Sequence, residues 1–296
     1  MEGVGSSVTE LQDPRAGGLN YTAHITRLMR DVVRRVPALG FIDVDRMLVF
    51  ARPGRTGAEG PYATCHSLTL PDSEPGYYFW RDAATGQVTR RSEWFVTRSP
   101  RVLVGGRQID YLFSFSLPRF VDQKLGTSRK RVLYPSGTPD WVAKLDTIVH
   151  ELYHVDPGQA GLRPVECQDG RPSFLTHSPR FFEDVAAMVG EYFASGPDAA
   201  LTDFLHDDFL GAIARHGAIT GATFRPYPSY PRRYRESVLP QPAAPPVGDV
   251  RIEPVADRAR TLFTEADLQL RRFDLASVHA PHEPHVPNAP APLCAA

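Results

Sequence analysis

His150, Glu151 and His154 stand as HExxH in the stretch TIVHELYHVDPGQAG, residues 147–161. Residues four apart share one face of a helix, so the two imidazoles can converge on a single cation. Glu151 lies roughly 100° further round the helix, outside the ligand shell. From there it can reach a water polarised by a metal, take its proton and later deliver that proton to a leaving amine. The triplet encodes ligand, base, ligand. Two histidines do not hold a catalytic zinc, so a third ligand must come from elsewhere in the chain.

A metzincin-type continuation needs a glycine at position 157 and a histidine at position 160, where this chain has Pro157 and Ala160. A glutamate on a later helix is the gluzincin solution, for which Glu183 and Glu191 are candidates, although neither sits in the usual ExxxD setting. His177 is the preferred third ligand. It follows His154 by 23 residues and immediately precedes Ser178-Pro179, so a helix N-terminus would fix its direction.

These residues need two helices and a scaffold. The first helix is expected to open at Thr138-Pro139-Asp140, run through HExxH and stop at Asp156-Pro157-Gly158. Trp141, Leu145, Ile148, Leu152 and Val155 form its packing stripe, opposite the histidines. The second begins at Ser178-Pro179, presents Phe181, Phe182, Val185, Met188, Val189, Tyr192 and Phe193, and ends near Gly196-Pro197. A weaker helix is expected within Asp198 to His216. About twenty residues between the two ligand helices show no period and no expected element.

Upstream, Ile25, Leu28, Met29, Val32 and Val36 recur at helical spacing before Pro37 and Gly40. Runs rich in β-branched and aromatic residues follow: MLVFA (47–51), CHSLTL (65–70), YYFW (77–80), RVLVGG (101–106) and DYLFSFSL (110–117). They predict a small, mostly antiparallel sheet. DYLFSFSLPRF (110–120) is a candidate edge strand for an extended peptide. Residues 1–19 are expected to be disordered, 20–222 to form the domain, and 223–296 to be a Pro-rich linker and largely disordered tail. One weak helical stretch, Pro254 to Phe273, is expected within that last region.

HELYH followed some twenty residues later by HSPRFF resembles the SprT-like and WLM-type zinc peptidases, and still more the phage metallopeptidase group. The resemblance covers roughly residues 20–195. It implies an α+β, compact zincin-like fold of the minigluzincin type, with His150, His154 and His177 on zinc and Glu151 as catalytic base. Asp156 stands where zincins often carry an apolar residue. No C-terminal zinc ribbon of the Spartan type follows, so DNA targeting lacks support.

The chain has 296 residues, is 42% hydrophobic and 23% charged, and carries a formal net charge of -1, which gives no electrostatic argument for nucleic acid or an anionic membrane. The basic runs TSRKR (127–131) and PRRYR (231–235) read as solvated loops. No apolar run reaches the ~20 residues of a membrane helix and the N-terminus lacks a signal-peptide pattern, so a cytoplasmic protein is expected. Cys65, Cys167 and Cys294 form no CxxC pair and read as reduced thiols. Tyr153 and Tyr192 are candidate oxyanion donors, with packing favoured for Tyr153, and Asp146 and Asp156 are candidates to orient the histidines. His279, His282 and His285 in the tail read as a solvated segment.

The expected function is hydrolysis of a peptide or protein substrate by a zinc-dependent peptidase. Two other classes fit the same residues: a non-catalytic binding or regulatory protein on the zincin scaffold, and a metal-dependent amidase acting on a non-peptide bond. An intact Glu151 speaks against the first. Neither the substrate nor the oligomeric state is written in the residues.

Overall fold

Asn20 opens the first helix, its side chain accepting from the Ala23 amide at 3.1 Å. The computed structural model describes residues 13–14, 17–54, 60–68, 101–159, 161–163, 177–224 and 262–276. It also describes the backbone of short strands at 79–81, 88–92, 165–166, 172–173 and 236–238. Helix α1 (Tyr21–Arg35) follows β1 (Leu19–Asn20) and buries Ile25, Leu28, Met29 and Val32 completely, as their spacing predicts. It ends where Val36 and Pro37 turn the chain into a 3-10 turn.

Three strands form the sheet behind the site: β2 (Met47–Gly54), β3 (Ala63–Ser67) and β6 (Tyr111–Pro118), the last following β4 (Arg101–Val104) and β5 (Arg107–Ile109). The order is β2-β6-β3, with β2 parallel and β3 antiparallel to β6. The sheet is therefore mixed. All eight residues of β6 are buried, as a strand covered on both faces and paired on both edges must be. This corrects the expectation that residues 110–120 form an edge: β6 is central, and among the described residues β3 ends the sheet on the side of the metal-motif helix.

Alternation along these strands divides two cores. Met47, Val49, Ala51, Cys65, Tyr111, Phe113 and Phe115 face the helices. Phe50 and Leu112 face the other way, onto a second cluster with Val102, Val104, Ile109, Phe224, Phe263 and Leu268.

Helix α2 (Val142–Tyr153) carries HExxH, α3 (Pro179–Ala194) follows His177, and α4 (Phe209–His216) lies within the span of the expected weaker helix. Helix α2 starts later than Thr138-Pro139-Asp140 predicts. The Asp140 carboxylate accepts from the Gly126 amide at 2.7 Å and the Thr138 hydroxyl donates to Pro135 O, so both side chains serve the preceding turns instead of capping the helix. In α3 the expected cap is present, with Ser178 Oγ accepting from the Phe181 amide and proline at the first helical positions.

Two segments expected to lack strands have them. The link between α2 and α3 contains an antiparallel pair, Val165–Glu166 with Pro172–Ser173. Strand β7 (Ile219–Phe224) pairs in parallel with β1 and antiparallel with β9 (Leu268–Phe273), while β8 (Leu262–Thr264) pairs with β4. Residues 262–273 are thus mostly strand, not weak helix, and bury Phe263, Leu268 and Phe273. Gly221 lets β7 approach β2: a Cβ there would stand 2.7 Å from the Ala51 Cβ. Among the described residues, four α-helices and several small sheets make a mixed α and β structure, compatible with the α+β class. Among the described residues no helix is long and apolar enough to cross a membrane.

Candidate metal centre

Helix α2 places His150 one turn before His154, which occupies the C-cap but keeps helical dihedrals. The i,i+4 geometry therefore survives to the last residue of the motif. His177 arrives from the turn before α3. The Nε2 atoms of His150 and His154 are 3.2 Å apart, and those of His154 and His177 are 2.9 Å apart. Each of the three offers a ligand atom within 4.8 Å of the others. Tetrahedral zinc with bonds of 2.0–2.1 Å separates its nitrogen ligands by about 3.3 Å, so these residues fit that cation.

The rings are held in place by packing. Phe181, on the first turn of α3, has its ring centroid 4.9 Å from that of His150, 5.0 Å from His154 and 4.7 Å from His177. Phe182 covers His150 and His177 from 5.7 and 5.5 Å. Burial is also the first cause that holds all three imidazoles neutral. It drives His150 well below the ordinary value, His154 down to about 3 and His177 downwards, with the Lys130 charge adding to each. Neutral imidazole is the ligating form.

Glu151 is buried, and burial raises its pKa to about 7 against the opposing effects of Lys130, a hydrogen bond from the Cys65 amide and Arg52. Cys65 lies on β3. Tyr62 O accepts from the Ser116 amide and the Leu68 amide donates to Asp110 O, so the even-numbered residues of this segment bond towards β6. The amide of Cys65 accordingly points away from β6, to Glu151. The Cys65 thiol itself is buried, and burial, then the Glu151 charge, raises its pKa well above the usual thiol value. Cys167 and Cys294 lie outside the described residues, as do His279, His282 and His285.

Other candidates are assigned elsewhere by their contacts. Glu183 and Glu191 are exposed on α3 and belong to no cluster of potential ligands among the described residues. Tyr153 donates to Asp184 Oδ2 at 3.0 Å, tying α2 to α3. Tyr192 is fully buried and donates to Asp31 Oδ2 at 2.9 Å, on the α1 side of the core. Asp156 Oδ2 accepts from the Gly158 amide, and Asp146 accepts from Lys130 and Tyr134. Among the described residues neither aspartate bonds to an imidazole, and His150 Nδ1 is buried without a hydrogen-bond partner.

Sequence reasoning missed Phe181 as the packing partner common to all three imidazoles, the Cys65 amide, and Lys130. Phe181 was visible only as one member of an apolar face, and the role of a backbone amide leaves no mark in residue type. Comparison with family models, with curated proteins and with solved structures finds no match.

Proposed function

We propose that this protein is a zinc-dependent peptidase with a zincin-like fold of the SprT-like and WLM type. The observation that carries the reading is the convergence of three imidazole Nε2 atoms beside a buried glutamate in the same helix. Zinc held by His150, His154 and His177 would supply Lewis acidity and a water whose pKa is lowered towards ~7.

Glu151 is the proton carrier. Its pKa of about 7 in the metal-free protein places it where acceptance and release are both accessible near neutrality, while a bound dication would oppose part of that rise. It takes the proton from the attacking water and gives it to the nitrogen of the departing amine. The Cys65 amide fixes one direction of the carboxylate, so the carrier is oriented before substrate arrives. Among the described residues β3 ends its sheet beside Glu151, where an extended peptide could add as a further strand. This geometry favours a peptide over a compact non-peptide amide.

The test is digestion of a peptide library, read by mass spectrometry, with zinc-loaded wild type and zinc-loaded Glu151→Gln. Cleavage by wild type and its loss in Glu151→Gln, with zinc content equal, are expected. A wild type that holds zinc and cuts nothing would favour the binding-protein reading.

A further inference from the structure

The two tyrosines that could steady a developing oxyanion are committed to Asp184 and Asp31, yet hydrolysis of an amide needs a donor there. Arg52 is turned to the hydroxyls of Ser116 and Thr64, at 2.9 and 3.3 Å. Arg163 is spent on the Tyr153 carbonyl and lies over that ring. Lys130 differs from all of these.

It belongs to a 3-10 helix, Arg129–Leu133, in the basic run that reads as a solvated loop in the sequence. The loop is neither extended nor fully solvated. Lys130 is only 18% exposed and pairs with the Asp146 carboxylate, which is 1% exposed. Tyr134 donates to the other oxygen of that carboxylate at 2.6 Å. Asp146 lies one turn before His150 on α2, so the pair fixes an ammonium at a set height above the metal motif. That ammonium is 5.8 Å from the centroid of Phe182, the ring that covers His150 and His177.

Burying an ion pair costs desolvation that its attraction does not reliably repay, so a pair in this position calls for a use beyond stability. An ammonium has three donors, and Asp146 is the one hydrogen-bond acceptor that Lys130 Nζ contacts among the described residues.

We propose that Lys130 is a further catalytic residue, whose ammonium receives the negative charge developing on the scissile carbonyl oxygen; this rests on the peptidase reading above. As the water oxygen bonds to the carbonyl carbon, its proton passes to Glu151 and the π pair moves onto the carbonyl oxygen, where Lys130 donates to it. When that pair returns, the C–N bond breaks and Glu151 protonates the nitrogen. Lys130 keeps its proton throughout. Asp146 and Tyr134 are positioning residues that hold the ammonium.

Cobalt-substituted protein tests this without a known substrate, because inorganic phosphate is a tetrahedral oxyanion whose binding at the metal shifts the visible absorption of cobalt. Lys130→Met is expected to weaken phosphate binding by about tenfold or more with cobalt content unchanged, while Lys130→Arg stays within about threefold. Asp146→Asn, which leaves the ammonium but removes the charge of the carboxylate that holds it, should weaken phosphate binding by clearly less than Lys130→Met does. The double variant Lys130→Met/Asp146→Asn leaves no unpaired charge and should be as weak as Lys130→Met, so an unstable single variant does not decide the matter. With any peptide that is cleaved, Lys130→Met should lower kcat by about a hundredfold and leave KM nearly unchanged. Unchanged phosphate affinity in both Lys130→Met and the double variant overturns the role of Lys130 alone, and so does a loss in Asp146→Asn equal to that in Lys130→Met. Failure of wild type to bind cobalt would overturn the metal centre and this inference with it.

Discussion

His154 and His177 approach to 2.9 Å between their Nε2 atoms across 23 residues of chain, and both rings lie against Phe181. The third imidazole is therefore delivered by a helix start whose proline and serine cap fix the backbone just before Phe181 enters the core. His177→Ala is expected to weaken zinc binding by orders of magnitude, with Glu183→Ala and Glu191→Ala nearly unaffected. Zinc titration against a chromogenic chelator reads the difference, and a carboxylate variant that loses zinc as severely as His177→Ala would refute the assignment.

Phe181→Ala removes a ring that is almost fully buried and touches all three imidazoles. A loss of about 3–5 kcal/mol in stability is expected from the cavity alone. Phe181→Leu should recover much of that stability but not the zinc affinity, since a smaller side chain leaves the imidazoles free to rotate. Denaturant melts and zinc titration together check this; equal zinc affinity in Phe181→Leu and wild type would show that the ring only fills space.

Acidification separates this site from an exposed one. All three imidazoles have folded-state values below the ordinary 6.5, so protons should compete with zinc only below that value. Zinc affinity is expected to hold as pH falls through 6.5 and to drop at lower pH. The same shifts have a consequence for the metal-free fold. A depressed imidazole contributes stability above the unfolded-state value near 6.5, and that stability is lost as pH falls from there towards the folded value. Glu151 acts oppositely: its folded value of about 7 lies above the ordinary 4.5, so its contribution is full below 4.5 and is lost as pH rises through 7. Glu151→Gln should therefore stabilise the metal-free protein more at pH 8 than at pH 5, as read by urea melts at the two values.

Much of the centre was legible in residue types. The period of α1, the i,i+4 pair in α2 and the Ser-Pro start of α3 are local signals, and each appears close to where its spacing puts it. What was not legible depends on pairing at a distance. The strand rank of residues 111–118 follows from β2 and β3 flanking it, and 262–273 is strand because Leu268 to Phe273 find β7, an outcome that overrides a weak helical period. Lys130 reads as solvated in a basic run because the carboxylate that captures it lies sixteen residues on.

Strand β9 changes what a truncation should do. Removing residues 221–296 would take Phe263, Leu268 and Phe273 from the two cores and is expected to destabilise the fold, not merely trim a tail. Removing 277–296 alone should leave zinc stoichiometry and melting temperature unchanged. Loss of zinc in that shorter deletion would bring His279, His282 or His285 into the site.

Zinc-edge X-ray absorption on protein purified without added metal reads the ligand shell of the metal itself. One zinc per chain with three imidazole ligands and one further light atom at about 2.0 Å is predicted, falling to two imidazoles or to no zinc in His177→Ala. Absence of zinc that reconstitution does not restore, or a wild-type shell with sulfur or fewer than three imidazoles, would contradict it.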